Sequence, residues 1–170
     1  MTIQETSEPA VADARPLPDA GPRGLGGWLI LPLLGFIGTI LLTGWSIVQA
    51  PQSLAGLVVI FTATSGQLAE LKLPTAASLA GGILVIASAA YCLYLMFAKK
   101  RAMVRFATAH YLILAAAGLV DLWAGFVMER VLAETHDPSA TKEAVRGVLL
   151  ACIWIPYFHL SQRVRNTFTA

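Results

Sequence analysis

Apolar residues along this chain fall into four long uninterrupted blocks separated by short polar connections. The blocks cover residues 28–48, 75–98, 104–128 and 144–160, each close to the ~20 residues a helix needs to cross a bilayer. The pattern predicts an all-α fold: a polytopic membrane protein built as a four-transmembrane-helix bundle. A further apolar stretch, residues 54–64, is only 11 residues long and runs into Gln67, Glu70 and Lys72. It is too short to span, and is read as an outer interfacial or partly re-entrant segment between helices 1 and 2, or as a small cap on the bundle.

Charge sets the expected threading. Lys and Arg resist translocation, so short connections rich in them stay in the cytoplasm. With four spans, Lys99, Lys100, Arg101 and Arg105 fall on the same side as Arg163, Arg165, Arg15 and Arg23. The other side keeps Lys72, Arg130, Lys142 and Arg146, accompanied by Glu70, Glu129, Glu134, Asp137 and Glu143. Both termini are therefore expected in the cytoplasm. A fifth span would move the Lys99-Lys100-Arg101 turn outside, against that rule. Residues 1–23, polar and rich in Pro, Ala and acids, are expected to be a disordered cytoplasmic tail, followed by one transmembrane domain over 24–170.

Local signals mark the helix ends. Asp137-Pro138 supplies a capping side chain and a first-turn proline for helix 4. Pro74 lets helix 2 begin at Thr75, while Pro32 and Pro156 are potential kinks. Small residues four apart allow close helix approach in lipid: Gly35, Thr39 and Thr43 in block one; Ala77, Ser78, Gly81, Gly82, Ala89 and Ala90 in block two; Ala117, Gly118 and Gly125 in block three. The simplest use of these faces is to hold the bundle together.

Composition narrows the classes further. Hydrophobic residues make up 56% of the 170-residue chain and charged residues 13%, against about 25% charged in soluble domains. The net charge of +2 is too small to suggest nucleic acid. Cys92 and Cys152 both lie in apolar blocks, where thiols act as small hydrophobes. No nucleotide loop, catalytic triad or paired carboxylates are present; Gly24-Leu25-Gly26-Gly27 lacks both the preceding strand and the Gly-Lys-Ser/Thr of a phosphate loop. No cofactor and no enzymatic activity are expected.

Asp121 is the residue most able to carry chemistry, because a carboxylate within a span is costly, roughly 2.5–3.5 kcal/mol at mid-helix. It lies 16 residues beyond Arg105, and Arg146 lies 17 residues before Arg163 on the antiparallel fourth helix. Both are thus about 25 Å from the inner side. Three roles follow for Asp121: a polar clasp to Arg146 or to another satisfied contact, a proton or substrate site, or a place in headgroup water. His110 and His159 are expected near the inner ends of helices 3 and 4 as interfacial anchors. Two histidines alone make a poor metal site, and Trp28, Tyr157 and Phe158 suit an aromatic belt.

Two stretches carry a resemblance. Gly26-Gly27-Trp28-Leu29-x-Leu31-Pro32 opens the first helix, and Trp154-x-Pro156-Tyr157-Phe158-x-x-Ser161-x-Arg163-Val164-x-x-Thr167-Phe168 closes the chain. With four spans in this size range, the chain resembles the YdgK-like family of small bacterial inner-membrane proteins, which has no assigned activity and supplies no catalytic residues. The resemblance implies that Gly26, Gly27, Trp28 and Pro32 share one membrane face with Trp154, Pro156, Tyr157, Ser161 and Arg163. They would meet there to dock a partner, to line an inner vestibule, or as a helix-1/helix-4 contact with Trp28 on Pro156 and Tyr157.

The resulting expectation is an uncharacterised, non-enzymatic accessory or scaffold protein of a bacterial inner membrane. Its expected partners are the bilayer and either a membrane-protein partner or a second copy of the chain. The alternative is a small transporter or channel subunit using Asp121 as a proton or cation relay.

Overall fold

The computed structural model describes residues 26–48, 51–132 and 138–169. The expected tail over 1–23, with Arg15 and Arg23, lies outside the described residues, as do Glu134 and the expected cap Asp137. A 3₁₀ turn, Gly27–Leu29, leads into α1 (Ile30–Val48). It is followed by α2 (Pro51–Thr62), α3 (Gln67–Glu70), α4 (Lys72–Phe97), α5 (Met103–Leu132), α6 (Pro138–Leu160) and α7 (Gln162–Thr167). No strand occurs among the described residues. Four helices are long and apolar enough to cross a membrane. The 54–64 segment lies within α2 and α3's approach rather than in a span: α2 is a 12-residue helix, about 18 Å long, well short of the ~30 Å hydrocarbon core.

Helix ends follow from backbone chemistry. α4 begins at Lys72, not at Thr75, and takes Pro74 into its third position. The first four N–H groups of a helix have no intrahelical acceptor, so a proline there forfeits nothing. Pro32 is likewise third in α1, whereas Pro156 lies inside α6, which continues to Leu160. At the other end of α4, the amide of Lys100 donates to the Leu95 carbonyl and that of Lys99 to Met96, both at 3.2 Å. This is the paired C-terminal closure known as the Schellman motif, with Lys99 at φ +51° in the position that favours glycine.

The spans pack in chain order, α1 on α4, α4 on α5 and α5 on α6. Small residues set the approach. A Cβ built on Gly118 would lie 2.9 Å from the Cα of Ala144, and one on Gly147 would lie 3.1 Å from the Leu114 carbonyl oxygen. At the α5–α6 crossing a side chain on Gly118 would therefore force the backbones apart, and one on Gly147 would be tight. Gly81 faces Ala117 and Gly125 faces Ala140 at ordinary contact distances, whereas a Cβ on Gly35 would meet nothing within 4 Å. Block one's glycine is therefore not spent on this bundle's core.

A buried cluster joins Leu29, Phe36, Cys92, Leu95, Met96, Met103, Tyr111, Phe158, Val164 and Phe168. It occupies the end of the bundle nearest the turn between α4 and α5. Val164 and Phe168, close to the C-terminus, are part of that core. α7 buries Val164, and Phe168, which follows its last residue, is buried one turn further on. Opposite this, large apolar side chains cover the outer flanks: Leu41, Trp45, Leu73, Ile83, Phe97 and Leu160 are all more than 60% exposed. Water-soluble folds do not tolerate apolar surface this continuous, and hydrocarbon is the solvent that does.

Candidate functional site

Two places gather the residues singled out by sequence. The first is the closed end of the bundle. Arg163 Nη1 donates to the Gly26 carbonyl at 2.5 Å, joining the opening motif to the closing one. Gly27 sits directly under that guanidinium at φ +62°, and a Cβ there would lie 2.7 Å from Arg163 Nη1. Ser161 ends α6 in extended backbone and caps α7, its Oγ accepting from the Val164 amide at 3.5 Å. Arg101 Nε donates to the Thr169 carbonyl at 2.8 Å, fixing the far end of the same segment.

Pro32 is buried at this end; Trp154 and Tyr157 are half-buried and meet edge to face at 5.5 Å, and Pro156 is exposed. Trp28 does not pack on Pro156 and Tyr157: it is 70% exposed, and Leu29 beside it takes the core position instead. The 3₁₀ turn rotates one residue outward and the next inward. Phe158 is also core rather than belt, at 1% exposure.

The histidines part company. His110 is 1% exposed, with Nδ1 2.8 Å from Ser88 Oγ and its ring edge-on to Phe36 at 5.0 Å. It is a core residue that ties α5 to α4, not an interfacial anchor, because α4 offers a hydroxyl at its depth. His159 is exposed and reaches Thr108 Oγ1 at 3.0 Å, tying α6 to α5. Among the described residues no group of three His, Cys, Asp or Glu side chains is placed to hold a metal.

The second place is a cavity of about 420 Å³, open on one side, in the half of the bundle remote from the Lys99–Arg101 turn, with Asp121, Glu143 and Arg146 exposed in it. All four spans line it: Thr39, Leu42 and Thr43 from α1, Gly82 and Val85 from α4, Leu114, Ala117, Gly118 and Asp121 from α5, and Glu143 and Arg146 from α6. The structure thus brings Asp121 and Arg146 to one cavity, but gives them separate contacts. Asp121 Oδ1 accepts from the Ser78 hydroxyl. Arg146 Nη1 turns to Glu143 Oε1, three residues earlier on its own helix, at 3.0 Å. That arrangement replaces the direct clasp, because an i,i+3 partner on the same helix lies closer than one across a cavity.

The lining carries two carboxylates and one guanidinium, a net charge of −1. Arg146 and Glu143 neutralise one another, so the negative field centres on Asp121. Leu42, Val85 and Leu114 add apolar wall. A space of this size, mostly apolar with a few convergent polar groups, has the make-up of a small-molecule pocket.

Sequence reasoning missed Ser78, Glu143, Thr39 and Thr43 as cavity residues. The i,i+3 spacing of Glu143 and Arg146 was a legible signal. Ser78 reads in the sequence only as a small packing residue, since nothing in a single sequence pairs a serine with an aspartate 43 positions away.

No curated protein and no solved structure matches the chain. A family model described as "Protein of unknown function (DUF2569)" matches residues 22–169, taking in both motifs, all four spans and the cavity. The chain belongs to this DUF2569 family.

Proposed function

We propose that the protein is a non-enzymatic, multi-pass protein of a bacterial inner membrane that binds a small cationic solute in its four-helix cavity, as a small transporter or channel subunit. Within its family it is assigned to the YdgK-like group on the two terminal motifs. Both termini are placed in the cytoplasm, a reading supported by Lys99, Lys100, Arg101, Arg105, Arg163 and Arg165, which the fold collects at one end. The cavity then opens in the outer half.

One observation carries the reading: Asp121 faces a cavity of about 420 Å³ and is held there by a neutral hydroxyl, not by Arg146. A dry ion pair would have been a structural clasp; a carboxylate facing open space within a span is a binding group. Purified protein in liposomes tests it through uptake of rubidium and of methylammonium. Wild type is expected to exceed protein-free liposomes, and Asp121→Asn to lose uptake while keeping the wild-type melting temperature. Uptake of both probes at the protein-free rate overturns the reading.

The accessory or scaffold role rests on a different observation. Cβ atoms on Gly35 and Gly38 would meet nothing within 4 Å, so α1 offers a small-residue face for another transmembrane helix, either a membrane-protein partner or a second copy. Disulfide trapping of Gly38→Cys in native membranes tests this reading, and failure to trap any adduct counts against it.

A further inference from the structure

We infer that the occupant of the cavity is a protonated primary or secondary amine carrying a small apolar body, bound with its N–H groups on Asp121. This rests on the solute-site reading above and names the solute's chemistry.

Size comes first. At about 420 Å³ the open space is far larger than a dehydrated inorganic ion fills. A bare cation would also want several oxygen ligands around it. Here the carboxylate oxygens come from Asp121 on one side and from Glu143, already engaged by Arg146, on another.

Charge comes second. The net charge of −1 selects an ammonium group over an anionic one, since the one guanidinium is occupied. The walls come third. Leu42, Val85, Leu114 and Ala117 offer apolar surface next to the charge, which suits an alkyl or aryl body and does nothing for a hydrated ion. Aromatic absence in the lining decides the type of ammonium. Quaternary ammonium groups cannot donate hydrogen bonds and are held by aromatic faces, and no aromatic residue lines this cavity among the described residues. An N–H donor, by contrast, finds a carboxylate whose position is fixed by Ser78.

The same ammonium can arrive on a soluble amine or on an aminophospholipid headgroup. Equilibrium titration of the purified full-length protein with n-butylamine, tetramethylammonium and potassium tests the inference. Saturable binding of n-butylamine is expected, at least tenfold tighter than that of the other two. Asp121→Asn should weaken it at least tenfold. Gly82→Leu, which fills the cavity and leaves Asp121 in place, should do the same and covers the case in which the aspartate variant fails to fold. Repeating the titration in nanodiscs separates the sources. Competition by phosphatidylethanolamine but not phosphatidylcholine assigns the ammonium to a lipid; equal binding in both assigns it to a soluble amine. Potassium or tetramethylammonium binding as tightly as n-butylamine overturns the amine inference and leaves the solute site standing. Absence of binding by all three overturns the inference as well, and rubidium uptake then decides the site on its own.

Discussion

Arg163 reaches across the closed end of the bundle to the Gly26 carbonyl, so a residue near the end of the chain caps the backbone that enters the first span. The guanidinium lies over Gly27, whose φ of +62° and missing Cβ make the contact possible. Gly27→Ala should therefore lower stability by about 1–2 kcal/mol, chiefly from the left-handed backbone, since the Arg163 side chain can swing away. Gly26→Ala should be near neutral, because its Cβ would lie 3.6 Å from Arg163 Nη1 at φ −84°. Thermal unfolding in mild detergent checks the pair; equal effects would mean the turn is not held as described.

The α5–α6 crossing gives a second contrast. Gly118→Ala pushes a methyl against the backbone of Ala144, which cannot rotate aside, and should cost about 1–3 kcal/mol. Gly35→Ala has open space and gains helix propensity, by up to about 1 kcal/mol. Unfolding in a denaturing detergent series should rank Gly35→Ala at or above wild type and Gly118→Ala below it.

Lys99 holds a left-handed conformation that a glycine adopts without cost. Lys99→Gly should raise stability by about 1 kcal/mol through that relief, while Lys100 and Arg101 keep the turn cationic. The melting temperature reports it, and a decrease would contradict the closure drawn for α4.

The two histidines should respond very differently. His110→Ala removes a buried ring from Phe36 and Tyr111 and deprives Ser88 of a partner, at about 1–3 kcal/mol from packing and the lost hydrogen bond. Lipid supplies no hydrophobic transfer term to enlarge that figure. His159→Ala touches an exposed contact to Thr108 and should change stability by less than about 1 kcal/mol. Comparable losses at both positions would remove the distinction.

Threading is tested chemically. In a background with Cys92→Ala and Cys152→Ala, Ser65→Cys should react with an impermeant thiol reagent in intact spheroplasts, whereas Lys100→Cys should react only in inverted vesicles. The reverse pattern would invert the orientation.

Much of this architecture was legible because hydrocarbon imposes simple rules on a chain. Twenty apolar residues must become a helix, since unsatisfied backbone in lipid is too costly, and the Lys99–Arg101 turn must end a span. The four crossings, the short segment after helix 1 and the gathering of the terminal motifs at one face all follow from length and charge along one dimension. Tertiary structure decided the rest. Whether Arg146 turned to Asp121 or to Glu143, whether His110 met lipid or Ser88, and whether Trp28 or Leu29 entered the core depended on helix rotation. Rotation is set by which small residues let neighbouring backbones touch. A hydrophobic block is apolar on every side, so its sequence marks where a helix lies in depth and leaves the direction it faces to packing.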